Sequence, residues 1–224
     1  MGFVASRGIY VVAFCLSMAT ITDLVTQKRD KDRVSVYLDG KFALGLAASV
    51  AAELRIGQEL SLEDIETLER KERTEKARQN ALRFVSYRPR SEYEVRTHLR
   101  RKSFEDDVVD HVVEYLTALD FIDDLAFANY WVEQRETFRP RSRFALSQEL
   151  RQKGISRELI DSALEEVDES AAARRAVQKR AYHWAGLPEQ AYKEKMAGYL
   201  QRRGFSYELI RETIEEAWQD QEET

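Results

Sequence analysis

The alternation of apolar and polar positions changes its period near Ala47. Before it, Arg33-Val-Ser-Val-Tyr-Leu38 and Lys41-Phe-Ala-Leu-Gly-Leu46 alternate residue by residue on either side of Asp39-Gly40. An Asp-Gly pair between alternating runs predicts a β-hairpin, because both central residues of its tight turn need positive φ. Ile21–Thr26 predicts a third strand, with the charged stretch Gln27–Asp32 as its loop. From Ala47 onward the spacing is helical. Ser61-Leu-Glu-Asp64 predicts a helix start, its hydroxyl capping a free N–H, with Ile65 and Leu68 on the buried face.

The remainder repeats. Tyr87-Arg-Pro-Arg-Ser91 returns as Phe138-Arg-Pro-Arg-Ser142, 51 residues on. Leu99-Arg-Arg-Lys-Ser-Phe104 returns as Leu150-Arg-Gln-Lys-Gly-Ile155, and 50 residues later as Leu200-Gln-Arg-Arg-Gly-Phe205. Val108, Val109, Val112, Val113 and Leu116 correspond to Leu159, Ile160, Ala163, Leu164 and Val167, and then to Leu209, Ile210, Thr213, Ile214 and Ala217. The three prolines, 89, 140 and 188, hold the same place, the third unit with a two-residue gap after its proline. Three tandem units are expected.

Each unit predicts three helices. Proline separates the first from the second, since it disfavours helix in the residue before it and suits a helix start. Gly154 and Gly204 end the second, free to adopt the left-handed conformation past a helix terminus. Ser103 stands at that place in unit one, so a different turn is expected there. Ser156 and Ser206 cap the third helix. Phe127, Trp131 and Val132 mark the first helix of unit two, and Val177, Ala181 and Trp184 that of unit three. The segments expected are 1–17, an extension; 18–75, hairpin and helix; and repeats over 76–122, 123–170 and 171–224. The fold class is mainly α, three three-helix repeats in an elongated array behind a small β-hairpin region.

Composition agrees: nine glycines and three prolines in 224 residues are too few for a loop-rich β-sandwich. The net charge of −5 argues at first against a polyanionic partner. Counting by segment reverses this. Residues 77–103 hold eight basic and two acidic side chains, whereas 104–124 hold eight acidic and none basic. The alternation continues: six basic and three acidic over 125–154, one and six over 155–170, eight and two over 171–204, one and seven over 205–224. Every unit has basic first and second helices and an acidic third. Opposite charges could simply pair across neighbouring faces, at about 0–1 kcal/mol each. Alternatively, stacked units align the basic helices into a stripe suited to phosphate or an acidic protein groove.

Ile9–Thr20 is an apolar run too short to span a membrane, which takes about 20 residues. It has the proportions of a signal-peptide core with Ala19 as a cleavage site, set against a translation start at Met18; the lack of a cysteine framework downstream favours the cytoplasm. Cys15 is the single cysteine, and His98, His111 and His183 are scattered, so no metal constellation is visible. No phosphate loop, dinucleotide fingerprint, nucleophile elbow or zinc helix occurs. Asp123-Asp124 suits a turn and helix cap better than acid–base chemistry. His98 and His111 suit surface or boundary positions, and His183 suits packing beside Trp184.

Four stretches together resemble the RecX regulators of the bacterial recombinase RecA: Val34-Ser-Val-Tyr-Leu-Asp-Gly-Lys-Phe-Ala-Leu-Gly-Leu46, Ala81-Leu-Arg-Phe-Val-Ser-Tyr-Arg-Pro-Arg-Ser91, Phe121-Ile-Asp-Asp-Leu-Ala-Phe-Ala128 and Gln148-Glu-Leu-Arg-Gln-Lys-Gly-Ile155. Phe127 stands where that family usually has tyrosine and Ser103 where it has glycine. The resemblance implies a monomeric regulator without catalysis, cofactor or membrane. It would lie along the groove of the RecA–single-stranded DNA filament, slowing filament growth and inhibiting strand exchange and coprotease activity, and so regulating DNA repair and the SOS response. Charge and repetition nominate the contacts: Arg88, Arg90, Arg96, Arg100, Arg101, Lys102, Arg139, Arg141, Arg143, Arg151 and Lys153. Reversing Arg88, Arg90, Arg139 and Arg141 is expected to abolish inhibition with the fold retained. The alternative is a stand-alone DNA-binding repeat protein, for which the recombinase would be unnecessary.

Overall fold

The structure, a computed structural model, describes residues 18–184 and 186–222. The expectation that residues 1–17 are an extension lies outside them. Two compact units divide at Gln79 and Asn80.

The first unit contains β1 (Ala19–Gln27), β2 (Asp30–Leu38), β3 (Lys41–Ala47), the single-turn α1 (Ala48–Ala51), β4 (Glu59–Leu60) and most of α2 (Leu62–Val85). The sheet is antiparallel in the order β3-β2-β1-β4. Asp39 and Gly40 have φ of 50° and 77°, as the hairpin requires. Two expectations change. The loop expected over Gln27–Asp32 shrinks to Lys28-Arg29, because Gln27 pairs directly with Asp30. Between Ala47 and Ser61 the expected helical spacing yields only α1, and Glu59 and Leu60 return to the sheet opposite Thr20 and Ala19. Ala19, weighed as a cleavage site, thus opens β1.

Ile21, Val36, Leu46, Ala51, Leu60 and Leu68 form the core of this unit. Beside it Glu72 is buried, accepting the Ala47 N–H at 2.6 Å and an ion pair from Arg33 at 2.8 Å. Ser61 Oγ accepts the Asp64 N–H at 3.1 Å, the predicted cap, and the Asp64 carboxylate accepts the Ser61 N–H in return at 2.8 Å.

The second unit carries three helical repeats. Repeat one is the end of α2, from Asn80, with α3 (Glu92–Arg101) and α4 (Asp106–Ala118). Its first helix is therefore no separate element: the helix begun at Leu62 continues to Val85. Repeat two is α5 (Asp124–Phe138), α6 (Arg143–Gln152) and α7 (Arg157–Ala163). Repeat three is α8 (Glu169–Trp184), α9 (Glu189–Gln201) and α10 (Tyr207–Glu222). Helix α7 stops early, so Val167 buries its side chain from beyond the helix instead of from a final turn. Phe127 is buried in the core of repeat two, where a phenolic hydroxyl would need a partner.

The Ser103 turn does not differ from its counterparts. Its φ is 63°, against 79° at Gly154 and 86° at Gly204. All three turns close with the same two bonds, for example Ser103 N–H to Arg100 O and Phe104 N–H to Leu99 O. The neighbours explain the residue choice. A Cβ on Gly154 would lie 2.4 Å from Tyr93 Cβ, and one on Gly204 would lie 2.6 Å from Ser142 Oγ. Each glycine turn is pressed against the start of the second helix of the preceding repeat. Ser103, with its side chain exposed, has no such crowding.

Candidate basic interface

The Arg-Pro-Arg-Ser turns sit where consecutive repeats meet. Ser91 and Ser142 are fully buried helix caps, accepting the N–H of Glu94 and Ala145 at 3.2 and 3.0 Å. Each also reaches the next repeat: Ser91 Oγ donates to Lys153 O at 2.7 Å, and the Ser142 N–H donates to Arg203 O at 3.1 Å. The tetrapeptide recurs because its serine is both a cap and an inter-repeat tie.

The two turns differ in charge. In repeat one, Arg88 grips Glu94 with both terminal guanidinium nitrogens at 3.1 Å, and Lys153 reaches the same carboxylate at 2.6 Å. Arg90 lies 3.9 Å above the Phe84 ring and 3.9 Å from Glu94. Burial opposes ionisation of Glu94, but the bonds from Arg88 and Lys153 outweigh it and hold the carboxyl below the usual glutamate range. Arg96 pairs with Glu92 at 2.6 Å and also with Asp110, and Arg100 pairs with Asp106 at 2.8 Å. In repeat two, Arg141 pairs with Glu149 at 2.9 Å, a carboxylate shared with Arg135 and the Trp131 indole N–H.

Six of the sequence-nominated cations, Arg88, Arg90, Arg96, Arg100, Arg141 and Lys153, therefore meet carboxylates within the chain, as the pairing reading anticipates. The other five, Arg101, Lys102, Arg139, Arg143 and Arg151, are exposed and have no carboxylate partner among the described residues. Exposed aromatics also stand at repeated positions: Tyr87 and Phe138, 78% and 67% exposed, and Tyr93 and Phe144, the two phenylalanines being chain neighbours of Arg139 and Arg143. Exposed aromatics interleaved with guanidinium groups can stack on planar ligands while the cations meet anions. Tyr87 and Phe138 open the repeated pentapeptide, yet the sequence reading nominated only cations as contacts and none of these four aromatics.

His98 stacks flat on Phe84 at 4.1 Å; burial first, then the charges of Lys102, Arg90 and Arg101, hold its imidazole below the usual range. His111 is exposed. His183, expected to pack beside Trp184, is exposed as well, its ring meeting that of Tyr182 edge-on. Asp123 caps α5 by accepting the N–H of Leu125 and Ala126, and Asp124 accepts the Glu92 N–H at 2.8 Å. Among the described residues no group of three or more His, Cys, Asp or Glu side chains could hold a metal, and no helix is long and apolar enough to cross a membrane.

Four family patterns match the chain in order. The Regulatory protein RecX N-terminal domain matches residues 19–62, and the first, second and third three-helix domains of RecX match 77–116, 123–164 and 167–214. A Regulatory protein RecX of Lactobacillus johnsonii is 32% identical over 197 residues, covering 86% of this chain and 72% of that one. Another, of Bacillus subtilis, is 32% identical over 198 residues, covering 86% and 75%. A solved crystal structure of regulatory protein RecX superposes with a TM-score of 0.68 at 29% identity, covering 88% of this chain and 99% of that one. RecX from Lactobacillus salivarius has the same fold, with a TM-score of 0.55 at 24% identity over 64% of this chain and 96% of that one.

Proposed function

The chain belongs to the RecX family of regulatory proteins, and on that premise we propose that it is a non-catalytic cytoplasmic modulator of the RecA–single-stranded DNA filament. In this reading it binds the filament, limits its growth and ATP hydrolysis, and thereby restrains recombination and the SOS response. One observation carries the reading: the family match runs through the N-terminal domain and all three helical domains, while the repeats keep exposed cations that their own acidic helices leave unpaired.

The contacts we assign are Arg101, Lys102, Arg139, Arg143 and Arg151. Arg88, Arg90 and Arg141 fit a test of binding less well, because reversing their charge would set them against Glu94 and Glu149 and disturb the inter-repeat tie. The test is ATP hydrolysis by RecA filaments on single-stranded DNA with increasing amounts of this protein. Hydrolysis should fall with wild type and persist when the five free cations are changed to glutamine. Hydrolysis unaffected by wild type refutes the reading. The exposed Phe138 and Phe144, chain neighbours of Arg139 and Arg143, favour a second reading, direct DNA binding without the recombinase. It predicts tight, steeply salt-dependent binding to bare strands.

A further inference from the structure

Two junctions between repeats are built from corresponding residues but neutralised differently. At the first, Arg88, Arg90 and Lys153 surround Glu94. At the second, the corresponding cations are Arg139, Arg141 and Arg203, while the residue corresponding to Glu94 is Ala145. Ala145 stands against the Gly204 turn, its Cβ 2.9 Å from where a Cβ on Gly204 would lie.

Around this alanine the positive charge is stacked on aromatic rings, and only Arg141 of the junction's three corresponding cations meets a described carboxylate. The Arg203 guanidinium lies 3.8 Å above the Tyr199 ring, and Arg180 lies 5.5 Å from the same ring and 5.6 Å from that of Trp184. Burial, and then the positive charges of Arg141, Arg139 and Arg180, outweigh the opposing influence of Tyr199 and hold the Arg203 guanidinium below its usual range. Glu149, already shared with Arg135, pairs with Arg141; Glu136 pairs with Arg175. No described carboxylate pairs with Arg139, Arg180 or Arg203. Phe138 and Phe144, each 67% exposed, flank the turn.

We infer that the junction of repeats two and three is a phosphate-binding site for a single nucleic-acid strand, open because alanine stands where the first junction carries its neutralising glutamate. Guanidinium groups fixed on aromatic rings present pre-aligned donors to phosphate oxygens. Exposed phenylalanines offer stacking platforms for the adjoining bases, which an acidic peptide would not use. The inference deepens the proposed function, resting on it for the cellular source of the strand; Arg203 and Arg180 join the candidate contacts.

The test is fluorescence anisotropy of a labelled oligothymidylate with Ala145→Glu, Ala145→Gln, Arg203→Gln and Glu94→Ala variants, each first verified as folded by circular dichroism. Glutamate at 145 has a precedent in Glu94, the residue at the corresponding position of repeat one. Ala145→Glu should weaken binding by about tenfold or more and flatten the salt dependence by about 0.7 in logarithmic slope for each phosphate the site no longer neutralises. Arg203→Gln should weaken binding as well. Ala145→Gln, similar in bulk but uncharged, should bind like wild type. Glu94→Ala, freeing the first junction, should bind more tightly.

Wild-type binding by Ala145→Glu overturns the site. So does equal weakening in Ala145→Glu and Ala145→Gln, or competition by a polyglutamate peptide as effective as that by unlabelled strand. Abolished oligonucleotide binding in Ala145→Glu with filament ATPase inhibition retained supports the site. Wild type without effect on the filament refutes the proposed function, yet the oligonucleotide series still reads out the site.

Discussion

Replacing Gly154 with alanine tests how tightly consecutive repeats are pressed together. Two costs are visible. The residue has φ of 79°, a conformation that costs a residue with a Cβ roughly 1–2 kcal/mol. The added Cβ would also lie 2.4 Å from Tyr93 Cβ and 2.8 Å from its Cγ, more than about 1 Å inside optimal carbon–carbon contact for the first of these. Tyr93 cannot yield freely. Its helix start is tied to the same turn by Ser91 Oγ to Lys153 O at 2.7 Å and by Lys153 to Glu94 at 2.6 Å. Overpacking at such a site adds about 1–3 kcal/mol. Gly186→Ala is the control: φ is 82°, yet nothing lies within 4 Å of an added Cβ, so only the conformational cost applies. In urea denaturation, with a slope of about 2 kcal/mol/M, Gly154→Ala should lower the midpoint by roughly 1.5 M and Gly186→Ala by roughly 0.5 M. Equal shifts in the two variants would refute the claim that glycine is required by the neighbouring repeat rather than by φ alone.

Ser103→Gly should leave stability unchanged or raise it by up to about 1 kcal/mol by relieving a left-handed serine, since nothing crowds that turn; a destabilisation in urea would contradict the comparison. Ser91→Ala removes both a helix cap and the bond to Lys153 O, so thermal unfolding should register a loss of about 1–2 kcal/mol. Glu72→Ala leaves the Ala47 N–H unpaired in a buried setting and Arg33 without its carboxylate, and should destabilise the first unit by about 3 kcal/mol in chemical denaturation. His98 titrates below its ordinary value of 6.5 when folded, through burial and then the charges of Lys102, Arg90 and Arg101. The unfolded chain therefore takes up a proton first as pH falls through 6.5, and stability drops below that value. Denaturation midpoints between about pH 7 and 5 should show this drop in wild type and a shallower one in His98→Gln.

The parts of this protein legible in the order of residues are those governed by local conformational rules. Asp39-Gly40 announced its turn because few residues tolerate two consecutive positive φ values. Pro89, Pro140 and Pro188 separated helices because proline restricts the residue before it and lacks an N–H. Gly154 and Gly204 marked helix ends, and the 51- and 50-residue spacing delivered three repeats. The same rules failed where distance in the chain is large. Glu59 and Leu60 are too short a run to signal a strand and become one only through Thr20 and Ala19. The continuity of α2 through Ala77 and Ala81 carries no break that a repeat boundary would require.

Partner choice for charges was the part that sequence alone left open. The alternation of basic and acidic helices raised both internal pairing and an external stripe, and nothing in the order of residues separates them. Coulomb attraction falls with distance and is screened by water, so it depends on which side chains share a surface. Lys153 meets Glu94 across 59 positions of chain, while Arg139, a residue of the same turn type as Arg88, meets no described carboxylate. Sequence by itself determined the repeats, their helices and their turns, because those follow from backbone sterics within a few residues. Only the tertiary structure decided that glycine is needed where repeats touch, and which cations remain available to a partner, because both depend on what the next repeat brings alongside.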